Sequence, residues 1–310
     1  MYAPCFFAYI ALKMARPLSL AQHTLFADLL EQGDVDLFDP DLPENGSILV
    51  RRGATNALSA HVYYQGYRPS ARKADPGQRF ASYLGRADDP AITMRIAKFQ
   101  SIKAMRAERI TAVRALIGAG MPRPDRISGR IIEALARAAL FREDAVLLGH
   151  AAYQTYAGVL GVRLSAPKCP TPDRATVAIA VRDGDRLGYV LDVLRTIDPS
   201  FTAEAGATAT YRSANGIGIA VTVAGRGENL SDATGFLIAR TVRALVLHGP
   251  GIPVAVPAPE RYVASAQFGQ TLLTAEEIAE LTDGLVLAGR DRVLAEAFAE
   301  AVAGHPASSR

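Results

Sequence analysis

Apolar positions in residues 18–32 recur with helical spacing. Leu20, Leu25, Leu29 and Leu30 share a face, and the spacing predicts a first helix that Gly33 ends. Asp39-Pro40 and Leu42-Pro43 then mark turns. Ser47–Arg51 and His61–Gln65 read as two strands of a hairpin, and the polar, basic stretch 66–80 reads as a mobile loop. Pro90 opens a long helix to Gly118, with Ile96, Phe99, Ile102, Ile110, Val113 and Ile117 as its buried stripe. A second helix is expected over 127–141, carrying Ile131, Ile132, Leu135 and Leu140.

From Ala145 onward, short apolar runs alternate with helical periodicity, which argues for an α/β or α+β unit. The expected elements are a helix at 146–160, a strand at 176–181 and a helix at 185–197. Strands at 208–213 and 217–223 follow, with Asn215-Gly216 between them as a strong hairpin signal. The apolar stretch 231–248 reads as one long helix, 252–256 as a strand, and 259–269, 274–282 and 290–303 as closing helices. Thr274 and Glu277 have the spacing of a capping box.

Composition narrows the chemistry. The chain has 310 residues, 49% of them apolar and 21% charged, as an ordinary globular protein has. Its two cysteines, Cys5 and Cys169, and five scattered histidines leave no zinc-site spacing and no disulfide framework. No metal site, phosphate-binding loop, nucleophile elbow or dinucleotide fingerprint is read from the sequence. Asp183, Asp185, Asp192 and Asp198 cluster at a turn and a helix start, where capping favours aspartate. The apolar run at 2–12 is too short to span a membrane and has no basic residue before it. Met14 is the expected true start, and the expected location is cytoplasmic, without membrane association.

Charge is uneven. Residues 1–50 carry two basic and seven acidic side chains, and residues 51–142 carry eighteen basic and six acidic. A segment at +12 inside a chain of net +3 can attract a polyanion, nucleotide or nucleic acid, with Arg106, Arg109, Arg123 and Arg130 as candidates. The same charge is also that of a solvated helix surface.

Several motifs together resemble a bacterial family of nucleotidyltransferase-fold proteins, in the DNA polymerase β-like superfamily. They are Tyr83-Leu84-Gly85, Gly129–Leu135, Leu148-Gly149-His150-Ala151-Ala152-Tyr153, Val159–Arg163, Asn215–Gly227 and Val256-Pro257-Ala258-Pro259-Glu260-Arg261-Tyr262. The resemblance implies an α+β fold, with a mixed-sheet nucleotidyltransferase-like core at 143–257. An N-terminal helical region with a small hairpin (1–142) would precede it, and C-terminal helices (258–310) would follow.

It also implies a chemistry that the residues do not supply. In the superfamily, two acidic residues one position apart on a strand and a third on a neighbouring strand hold two magnesium ions against the triphosphate. Here Asp173 can begin the motif, but Arg174 and Ala175 follow it. An alternative alignment places Ala178 and Ala180 at the paired positions, and Ala220 stands at the third. His150 replaces a small hydroxyl residue after Gly149, and Ser265-Ala266 replace a His-Lys pair.

The sequence therefore leads to a scaffold that has lost metal-dependent transfer and acts by binding a nucleotide, an RNA or a protein partner. Gly149, His150, Arg226 and Arg261 are its nucleotide-pocket candidates, and no cofactor is expected. One alternative is an active magnesium-dependent enzyme that uses Asp173 to transfer a nucleotide to an unknown acceptor. Another is a structural subunit partnering an active paralogue.

Overall fold

The structure is a computed structural model. It describes residues 15–33, 38–39, 41–52, 60–68, 78–165, 177–204, 209–223, 233–266 and 272–304. The chain forms two compact units, Asp34–Thr111 and Met1–Gly33 together with Ala112–Arg310.

In chain order the elements are β1 (Arg16–Pro17), α1 (Leu20–Glu31), β2 (Ser47–Arg52), β3 (Ala60–Arg68), β4 (Gln78–Arg86), α2 (Pro90–Gly118), α3 (Arg126–Arg137), α4 (Leu140–Glu143), β5 (Ala145–Leu148), α5 (Gly149–Leu160) and β6 (Val162–Arg163). There follow β7 (Val177–Val181), α6 (Arg186–Ile197), β8 (Thr202–Glu204), β9 (Ala209–Arg212), β10 (Gly218–Val223), α7 (Ala233–Ala239), β11 (Thr241–Val246), β12 (Ile252–Pro257), α8 (Pro259–Ala266), α9 (Ala275–Leu287) and α10 (Asp291–Gly304).

The smaller unit is the three-stranded antiparallel sheet β2-β3-β4 with most of α2. The predicted hairpin is present, with Ser47 opposite Gln65 and Arg51 opposite His61. The stretch expected as a loop at 66–80 instead contains the end of β3 and the start of β4, and Tyr83-Leu84-Gly85 lies on β4. Phe80 and Tyr83, three apart and so on opposite faces of β4, were the missed strand signal, since aromatic residues favour strands. One sheet face packs Ile48, Tyr64, Phe80 and Leu84 with Phe38, Leu42 and Phe99. Gly46 allows this, because a Cβ there would sit 2.1 Å from the Tyr64 ring.

The larger unit holds a five-stranded mixed sheet in the order β5-β7-β10-β9-β8. β7 and β10 run parallel, and the other neighbours are antiparallel. The predicted 208–213 and 217–223 strands pair as expected, with Gly216 at positive φ in the turn. Val177, Ile179, Val181, Ile219 and Val221 form one fully buried face, in the same core as Val190 and Leu194 of α6. Expressed as area removed from water, such side chains each contribute about 1.5–3 kcal/mol.

Three helix expectations are corrected. The helix expected at 127–141 breaks at Ala138-Ala139, where Ala139 takes positive φ (59°), giving α3 and α4. Ala145–Leu148 is a fully buried strand, and the helix begins only at Gly149. The run 231–248 is α7 followed by strand β11, which pairs with β12 across a turn at Gly249 and Gly251, both at positive φ. In α1 the buried residues are Phe26 and Leu29, while Leu20 is 82% exposed. Among the described residues, no helix is long and apolar enough to cross a membrane.

Candidate functional site

The site is the junction where β5 turns into α5. Gly149 is the first residue of that helix and takes φ of +64°, a left-handed conformation that glycine adopts without steric cost. The first amides of a helix lack intrahelical acceptors and form a natural anion site. Here the Gly149 N–H donates to the Tyr262 hydroxyl at 2.6 Å, and both residues are buried. Burial holds the Tyr262 phenol neutral by pushing its pKa up, despite the Gly149 amide. Tyr262 also meets Tyr156 edge-on at 6.1 Å, and the Tyr156 hydroxyl donates to the Pro257 carbonyl at 2.8 Å.

The next residue is tied as well. His150 Nδ1 lies 2.7 Å from Glu277 Oε1, and since an ionised carboxylate only accepts, that nitrogen carries the proton. Glu277 is the reciprocal member of the predicted capping box, accepting from the Thr274 amide at 2.7 Å. Burial pushes its carboxyl up, but the hydrogen bonds from His150 and Thr274 more than offset this, and it sits below the usual carboxylate range. Glu280, on the same helix, accepts from the Tyr153 hydroxyl at 2.6 Å and from the Ser165 amide and hydroxyl at 2.9 Å. Two carboxylates of α9 thus pin it to α5 and the loop after β6.

The Glu277 arrangement has a pH signature. A carboxyl whose folded pKa is depressed contributes stability above its unfolded value, near 4.5 here, and loses it as pH falls through the folded value. Glu277→Gln is expected to cost about 1–3 kcal/mol at neutral pH, the range for hydrogen bonds to a charged group. Urea titrations at about pH 7 and about pH 3 should show that deficit shrinking in acid. A deficit equal at both values would mean the ionised form is not what is stabilised.

Beside this junction lies the row expected to carry carboxylates. Ala178 pairs laterally with Leu148 on one side and Ala220 on the other, so all three share a sheet face. That face is the one near Gly149: a Cβ built there would lie 3.8 Å from Ala178 Cβ and 3.6 Å from Leu272 Cβ. Ala178 and Ala220 are half-buried, whereas Ala180, two positions along, is fully buried. No group of three or more His, Cys, Asp or Glu that could hold a metal occurs among the described residues. Small apolar side chains offer no oxygen ligands, so this row does not fit the magnesium pair of the superfamily.

The other candidates are dispersed. Asp173, Ala175 and Arg226 lie outside the described residues. Arg261, expected in a nucleotide pocket, is instead an internal anchor. It is 2% exposed, donates to the Phe236 carbonyl and to Glu300, and stacks over the Phe236 ring at 4.3 Å. Among the polyanion candidates, Arg109 is buried and Arg106 pairs with Glu44 at 2.7 Å, so neither stands on an open basic face. Arg123 and Arg130 are exposed. Of the aspartates read as caps, Asp185 stands at the N-cap of α6 without a side-chain cap hydrogen bond, Asp183 accepts from the Asp185 amide at 3.1 Å, and Asp198, at the helix's C-terminal end, accepts from the Ser200 amide at 2.9 Å. Sequence reading placed Tyr262 and Glu277 in motifs but missed that they close the head of α5, since those pairings span more than a hundred residues.

The profile of a family described as nucleotidyltransferase matches residues 126–224. No curated protein matches the sequence. A solution structure of the antibiotic-resistance factor ANT(2'')-Ia resembles the chain at 15% identity and a TM-score of 0.35, over 58% of this chain and 95% of that one. Residues 126–224, the segment running from α3 through β5, α5 and β7 to β10, are thus similar to the nucleotidyltransferase family, and the chain has an α+β architecture.

Proposed function

We propose that this chain keeps a nucleotidyltransferase scaffold without metal-dependent nucleotidyl transfer and acts by binding. The observation that carries the reading is the closed head of α5. Its first amide is committed to Tyr262, its second residue is bound to an ionised Glu277, and the facing strand positions are alanines. A phosphate brought to this helix end would meet Glu277's negative charge and find the Gly149 N–H already satisfied. Losing carboxylate-held metal removes several kcal/mol of transition-state stabilisation. Nucleotide held by other groups would bind weakly and without dependence on magnesium.

The purified full chain is expected to transfer no label from any common nucleoside triphosphate to RNA, protein or itself, with or without magnesium. Magnesium-dependent labelling that Asp173→Ala abolishes would instead establish the enzyme, with its ligands drawn from segments beyond the row at Ala178.

A further inference from the structure

We infer that the open face of the β2-β3-β4 sheet is a binding platform for single-stranded nucleic acid. This stands on the 34–111 unit alone and does not depend on whether the site at Gly149 is active. Strand register sets the face. Leu49, Tyr63 and Tyr83 form one lateral row, Arg51, His61 and Arg86 the next, and Tyr67 with Arg79 the far end. The opposite face holds the unit's apolar core, so these side chains point away from it.

Three features coincide there. The first is aromatic surface: Tyr67 and Tyr83 are each 53% exposed, and the Tyr63 and Tyr83 rings lie 5.4 Å apart. Tyr67 is about 13 Å further along β3, taking a strand rise of ~3.3 Å per residue. Such rings normally seek cover, and their flat faces suit unpaired bases, which stack on aromatic side chains irrespective of sequence. The second is charge. The strands contain no Asp or Glu, whereas Arg51 and Arg79 are exposed and Arg51 stacks on Tyr63 at 5.2 Å. Arg86 is spoken for by Asp88 at 2.6 Å and is left out of the set. The third is relief: Arg51, Gln65, Arg79, Phe80 and Ala81 line a shallow depression of about 380 Å³.

Stacking rings between arginines, on strands that carry no carboxylate of their own, is the combination that single-strand binders use. A duplex presents base edges and phosphates, not base faces, and has no way to use the tyrosines. Arg51 and Arg79 thus give part of the positive charge of 51–142 a location different from Arg106, Arg109, Arg123 and Arg130.

The test is fluorescence anisotropy of the full chain with labelled oligouridylate and oligothymidylate of about 12 nucleotides, and with a duplex of equal length. Both single strands should bind and the duplex should bind more weakly. Tyr63→Ala and Tyr83→Ala should each weaken binding on the order of tenfold, while Tyr83→Phe retains it. Arg51→Ala and Arg79→Ala should each lower the salt slope by about 0.7, the value for one phosphate contact on a single strand. Unfolding midpoints matching the unaltered chain would show that the variants fold. The inference is overturned if folded tyrosine variants bind like the unaltered chain, if no oligonucleotide binds at low salt, or if duplex binds as tightly. Equal displacement by polyglutamate would also overturn it, in favour of an acidic protein partner.

Discussion

Arg261→Ala is expected to lower the free energy of unfolding by about 3–5 kcal/mol, the range seen when one partner of a buried ion pair is removed. The side chain is 2% exposed, so its deletion leaves a cavity beside the Phe236 ring that it stacked on. It also leaves the Phe236 carbonyl and Glu300 without their guanidinium donor. Glu300 is 35% exposed and can recover water, so the larger share of the loss falls on packing and the carbonyl. Arg261→Lys should rescue only partly, because an ammonium cannot both fork between two acceptors and lie flat on a ring. The check is urea denaturation of the three proteins. A loss below about 1 kcal/mol, typical of an unremarkable surface site, would return Arg261 to the candidates for anion binding.

The two arginine readings illustrate what a sequence conveys and what it withholds. Position 261 sits in a Pro-rich motif, and a motif identifies the residue without its surroundings. Whether the guanidinium meets phosphate or Glu300 depends on α10, thirty-nine residues away. Local signals carried through well. The Asn215-Gly216 turn, the Thr274–Glu277 capping box and the bounds of α2 follow from interactions between near neighbours. Two of the misreadings were apolar runs without polar punctuation. Ala145–Leu148 and Thr241–Val246 are buried, and periodicity alone does not separate a short buried strand from a helix. For 241–246 the overlooked evidence was Gly249-Pro250-Gly251, a turn that lets the next strand return antiparallel. Of the candidate site, the sequence exposed the alanine row. The closure by Tyr262, Glu277 and Leu272 required the tertiary fold.

That row supplies the sharpest remaining contrast. Introducing a carboxylate should be tolerated at two of its positions and not at the third. Ala180 is 0% exposed, with Val146 and Thr222 as lateral partners, and it belongs to the continuous core. An aspartate there would be ionised without a partner or neutral at the cost of a raised pKa, so Ala180→Asp is expected to destabilise by about 3–5 kcal/mol. Ala178 and Ala220 are half-buried at the edge of the Gly149 junction, and aspartate at either should cost about 1 kcal/mol or less, since the carboxylate can reach water. Urea midpoints of the three single variants give the comparison directly. The spacing demanded by paired acidic ligands is then closed at its second position, and re-creating a cation site would have to combine Ala178 with its lateral partner Ala220, on a neighbouring strand about 4.8 Å away. If Ala180→Asp proved as stable as Ala178→Asp, position 180 would open to solvent. A paired site along β7 would again be physically accessible, and the case against metal-dependent transfer would lose the argument from burial.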